Sequence, residues 1–111
     1  MDLNEFAQAT ANANGRAVDT VGPERYGDVW EVELINTNST STAETQLRVY
    51  RGVESVSAQV LTTYSGNSDT AGGGKPITVS AGDKLVFVWS GATSGAICTA
   101  RLEGTLKSRR V

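Results

Sequence analysis

The chain has 111 residues, with ten Lys and Arg against twelve Asp and Glu, no histidine, one cysteine, twelve glycines and two prolines. That length fits a single domain, 1–111, and the absence of imidazole excludes Ser-His-Asp and Cys-His catalytic units and every histidine-containing zinc site. A lone Cys98 can neither bridge within the chain nor build a thiolate metal site, so the fold is expected to rest on one unstapled core in a reducing compartment.

The first residues, Met1-Asp2-Leu3-Asn4-Glu5, are acidic and no apolar run follows, so neither a secretory signal nor a membrane span is expected. Asn14-Gly15 lies between two alternating runs and predicts a hairpin joining strands near 5–13 and 16–21. Gly22-Pro23 breaks the chain. Trp30, Val32 and Leu34 then alternate with Glu31 and Glu33, the period-2 pattern of a strand with one wet face. The polar run starting at Asn36 predicts a long loop over 36–44. Leu47 and Val49 alternate with Gln46, Arg48 and Tyr50. A second long loop is expected over 65–76, where the triple glycine 72–74 sits. Ser80-Ala81-Gly82-Asp83 predicts a tight turn. Leu85, Phe87 and Trp89 alternate with Val86 and Val88, which are also apolar, so this strand should be central and covered on both faces. After a break at 90–95, Cys98, Ala100 and Leu102 form an inward face, which makes the thiol a small core hydrophobe. The reading is all-β: a single antiparallel β-sandwich of about eight strands, jelly-roll-like. Leu34, Leu47, Val49, Leu85, Phe87, Trp89 and Leu102 are its expected core.

Little catalytic chemistry survives inspection. Gly72-Gly73-Gly74-Lys75-Pro76 lacks both the earlier glycine and the following Ser or Thr of a phosphate loop. Asn67, Ser68, Asp69 and Thr70 bring one carboxylate, too little charge for calcium. Glu31 and Glu33 share a strand face about 7 Å apart, a spacing that could suit paired-carboxylate hydrolysis, but on an exposed strand face they read as ordinary solubilising charges. No enzyme, cofactor or metal is expected. The net charge of −2 with intermixed signs offers no nucleic-acid face, and Lys107-Ser108-Arg109-Arg110 reads as a solvated end. Trp30 and Trp89 fall on core faces, which leaves Tyr26, Tyr50 and Tyr64 as the rings for surface contact. With Asn67 and Asp69 they form the candidate partner or glycan contact, since a flat ring stacks on a sugar while amides and carboxylates bind hydroxyls. The polar ends Asp2 to Gln8 and Leu106 to Val111 are candidate docking arms, within 1–8 and 106–111.

The order of short motifs carries a further signal. Gly22-Pro23-Glu24-Arg25-Tyr26-Gly27 is followed by Trp30-Glu31-Val32, Thr45-Gln46-Leu47-Arg48-Val49-Tyr50-Arg51-Gly52 and Thr63-Tyr64-Ser65-Gly66-Asn67-Ser68-Asp69-Thr70. Ala81-Gly82-Asp83-Lys84-Leu85, Val88-Trp89-Ser90-Gly91-Ala92 and Ala100-Arg101-Leu102-Glu103-Gly104 close the series. Over nearly the whole chain this resembles small β-sandwich accessory virion proteins, of the minor tail or decoration type, of tailed bacteriophages infecting actinobacteria. The resemblance implies a non-enzymatic virion component, assembled in the host cytoplasm as a homo-oligomer, that docks onto other virion structural proteins at the tail or tail tip. Its alternatives are a capsid decoration or head-fibre protein and a carbohydrate-binding module for a host-surface glycan. It carries over no catalytic residues; from charge and apolar patterning, neither a nucleic acid partner nor membrane insertion is expected.

Overall fold

The computed structural model describes residues 2–63 and 65–108. Eight strands follow one another among these residues: β1 (Asp2–Thr10), β2 (Ala17–Val21), β3 (Asp28–Ser39), β4 (Gln46–Arg51), β5 (Gln59–Thr62), β6 (Ser68–Ser80), β7 (Leu85–Ser90) and β8 (Ile97–Ser108), with one 3₁₀ turn at Val56–Ala58. They form two four-stranded sheets. Sheet one has the order β1-β8-β3-β6 and sheet two the order β2-β7-β4-β5, and neighbouring strands run antiparallel. Successive strands mostly alternate between the sheets, which is the double Greek-key arrangement of a jelly roll. Strand order is set by long-range pairing, so alternation alone did not contain it.

The core lies where the two inner faces meet. Sheet one contributes Leu3, Ala7, Trp30, Val32, Ile35, Val79, Ala100 and Leu102, and sheet two contributes Leu47, Val49, Leu85, Phe87 and Trp89. Burying each large side chain contributes about 1.5–3 kcal/mol, which is how a disulfide-free domain of this size holds together. Phe87 and Trp89 stack with ring centroids 6.1 Å apart. Strand β7 is covered on both faces, as its unbroken apolar run requires, because Val86 and Val88 pack with Tyr50 in a second cluster on the outer side. Cys98 is fully buried on the inner side.

Three local expectations are corrected. The Asn14-Gly15 turn joins β1 and β2, but these strands lie in opposite sheets, so it is a corner and no hairpin. Asn12 builds that corner: its side-chain oxygen accepts from the Asn14 and Arg16 N–H groups at 2.8 and 3.1 Å. Gly15 has φ of 76° there and its carbonyl accepts from the Ala92 N–H at 3.0 Å, so a side chain would strike the 92 backbone. Next, the register of β3 shifts between Val32 and Leu34 against both neighbours: Glu33 is the extra residue against β8, and against β6 the pairing jumps from Ile77 to Gly72. The bulge moves the inward set from Trp30 and Val32 to Ile35 and Thr37, so Leu34 is 38% exposed and is not a core residue. Finally, both long loops shrink: β3 runs on to Ser39 and β6 starts at Ser68, because each residue from 34 to 38 finds a partner between 68 and 72. Main-chain pairing with a central strand outweighs the weak strand propensity of Asn, Ser and Gly.

Candidate docking surfaces

The residues expected to meet a partner are not gathered in one place. Tyr26 is 90% exposed in the β2–β3 connection, next to the start of β3. Asn67 sits near the far end of that strand, where its carbonyl accepts from the Ser39 N–H at 3.0 Å. Twelve residues of largely extended chain lie between Tyr26 and Ser39, a span on the order of 40 Å. Tyr50 is buried at 6% beneath the 3₁₀ turn, with Val86, Val88 and Ala58 around it, so it offers no ring to a ligand. Alternation placed its side chain outside the main core; a distant segment covers it there. Tyr64 lies outside the described residues.

Asn67 and Asp69 are engaged within the chain. The Asn67 side-chain oxygen accepts from the Thr45 N–H at 2.8 Å and its amide donates to the Ala43 carbonyl at 2.9 Å, which ties the β3–β4 connection to the start of β6. The Asp69 carboxylate accepts from the N–H groups of Ser65 at 3.2 Å and Thr70 at 2.8 Å. These are the bonds of a turn-forming Asn and Asp, made where backbone donors lack ladder partners. The segment Asp2 to Gln8, expected as a docking arm, lies in β1 and pairs with β8 along its length. Of the second arm, 106–108 belong to β8, and 109–111 lie outside the described residues.

The outer face of sheet one is polar and internally bonded. The Arg101 Nε donates to Asn4 Oδ1 at 2.9 Å, its guanidinium lies 3.9 Å from Glu103, and Asn36 donates to Glu103 at 2.7 Å. Thr70 completes the row with a short hydrogen bond to Asn36. Four strands are thus linked side by side by cross-strand pairs. Phe6 stands out on this face at 60% exposure, directly opposite Arg101 in the β1–β8 register. Glu31, the first of the two carboxylates weighed for hydrolysis, is ion-paired with Lys107 at 2.6 Å, and Glu33 is the exposed bulge residue.

Two open seams run between the edges of the sheets. One, of about 480 Å³, lies between β1 and β2 and is lined by Leu3, Glu5, Val21, Trp30 and Leu106, with the 22–25 connection at its rim. The other, of about 310 Å³, lies between β5 and β6 next to the Glu33 bulge. The first was not foreseen. Its one local signal is Glu5, a carboxylate at an inward position between Leu3 and Ala7. Further exposed apolar side chains stand before β5: Val53 on the loop and Val56 at the first position of the 3₁₀ turn. Among the described residues no group of three or more Cys, Asp or Glu side chains is placed to hold a metal ion. Burial pushes the Cys98 thiol up from its ordinary value of 9.0, against the smaller opposing pull of a hydrogen bond with Ser39.

No protein-family model matches the sequence, and a search of curated protein sequences finds no match. Among solved structures the chain is similar to the crystal structure of Yersinia pseudotuberculosis-derived mitogen, at 14% identity and a TM-score of 0.46, over 95% of this chain and 87% of that one. So distant a likeness says nothing about what this chain does.

Proposed function

We propose that this protein is a non-enzymatic accessory component of a tailed-phage virion, a minor tail or tail-tip protein that docks onto neighbouring virion proteins. The observation that carries this reading is the display of single large apolar side chains on a small sandwich: Tyr26, Phe6, Val53 and Val56 all stand out from a framework whose core needs none of them. Exposed aromatic rings such as Tyr26 and Phe6 are of the kind enriched where proteins meet. The motif order quoted above supports the phage assignment, and jelly rolls are a recurrent framework of viral structural proteins. Several symmetric copies would multiply weak contacts into stable attachment.

The test is labelling of intact virions of the encoding phage with gold-conjugated antibody against the purified protein. Gold at the tail tip is the expected result. Gold on the heads would move the protein to capsid decoration, and unlabelled virions that also lack the protein by mass spectrometry would end the virion reading.

A further inference from the structure

We infer that the seam between β1 and β2 is a strand-addition site for an extended polypeptide segment carrying Lys or Arg at alternate positions. The inference rests on the docking reading only in taking a polypeptide as the ligand.

The open edge of β1 is the first element. The Gln8 N–H does not face β8; it donates to Asp19 of β2 at 2.9 Å across the seam. In an antiparallel ladder alternate residues direct both main-chain groups to the same side, and the β1–β8 register has no shift. The N–H and C=O groups of Asn4 and Phe6 therefore also face the seam. Asp19 closes it near Gln8, whereas around residues 2–6 it widens into the groove of about 480 Å³. A strand laid there gains main-chain hydrogen bonds that β1 leaves unmade.

The side-chain chemistry of the groove selects the occupant. Its inner wall is apolar, formed by Leu3, Val21 and Trp30, yet Glu5 projects from β1 into the same space, opposite buried Leu102. The Glu5 carboxylate has neither a hydrogen bond nor an ion pair among the described residues. Around the groove Asp2, Glu5, Glu24 and Asp28 outnumber Arg25 and Lys84. A Lys or Arg side chain matches both properties, since its methylene stem covers the apolar wall while its charge reaches Glu5. In an added strand, alternate side chains point into the seam, and those between them point outward beside exposed Phe6. The segment that fits thus alternates basic and apolar residues.

The probe is a capped seven-residue peptide alternating lysine and valine, titrated into the full ¹⁵N-labelled chain, with a peptide alternating glutamate and valine as control. Saturable amide shifts confined to residues 2–6 and 20–25, seen only with the lysine peptide, are expected. Glu5→Gln should weaken binding about fivefold or more, as should raising the salt. Asn4→Pro removes one outward N–H, which an edge strand tolerates, and should abolish binding where Asn4→Ala retains it. If Asn4→Pro does not fold, Glu5→Gln decides. Absent shifts, equal binding of the two peptides, or unchanged affinity in Glu5→Gln would overturn the proposal and leave Glu5 as a charge that guards the edge against pairing. None of these outcomes bears on where gold falls on the virion.

Discussion

The indole Nε1 of Trp89 donates a 2.9 Å hydrogen bond to the hydroxyl of Thr37, which joins the interior strand β7 of one sheet to the interior strand β3 of the other. Both groups are fully buried, and Thr37 Oγ1 in turn donates to the Thr99 carbonyl at 3.2 Å. Thr37→Val keeps the shape but leaves the indole N–H without an acceptor in a dry core. A loss of about 1–3 kcal/mol is expected in urea unfolding, with Thr37→Ser nearer to the parent. Equal stability of Thr37→Val and the parent would show that the bond contributes nothing.

Gly104 faces the Glu31 carbonyl so closely that an added Cβ would overlap it. Gly104→Ala should therefore destabilise by more than about 2 kcal/mol, because backbone has to move. Gly82→Ala is the contrast: φ is +95° but the space is open, so only conformational strain of about 1 kcal/mol is expected. Denaturant midpoints of the two variants measure the difference.

Asn67→Ala removes the amide that bridges Thr45 and Ala43. A loss of about 1–2 kcal/mol in thermal unfolding is expected, together with faster amide exchange over 41–45. Unchanged stability would return Asn67 to the list of surface contact residues.

Cys98 should resist a disulfide reagent at pH 8 in the native protein and react fully once the chain is unfolded. The sign of its pH effect follows from the raised pKa. Below the ordinary thiol value of 9.0 both states hold the proton, and above it the unfolded chain releases the proton first, so stability falls as pH rises from about 9. Cys98→Ala should flatten that decline; a slope unchanged by the substitution would refute the assignment.

Tyr26→Ala should change unfolding free energy by less than about 0.5 kcal/mol, since the ring touches little of the fold, yet lower the number of copies per virion. Copy number from quantitative mass spectrometry of purified particles is the readout.

Much of this architecture was legible in the chain. Period-2 alternation correctly turned Trp30, Val32, Leu47, Val49, Phe87, Trp89 and Leu102 inward, because side-chain direction in a strand is a local property. What escaped depends on distant segments. One extra residue at Glu33 reversed the phase and put Leu34 outside. Tyr50 is hidden by a turn eight residues away, and the runs at 36–39 and 68–72 became strand because partners on neighbouring strands pair with them. The candidate contacts failed to assemble for a related reason. Tyr26 and Asn67 are placed by opposite ends of β3, whose extended length was invisible while its second half read as a loop. The β1–β2 seam exists only once both sheets are stacked.

The place of β8 between β1 and β3 has a consequence for biosynthesis. The last of the eight strands to leave the ribosome is an interior strand of its sheet, and β1 has no other partner in that sheet. β1 must wait, without its partner in that sheet, until residues 97–108 have emerged. Chaperone demand and vulnerability to proteases should therefore concentrate in the interval just before residues 97–108 clear the exit tunnel, and the high sequence separation of these contacts makes the closing step slow.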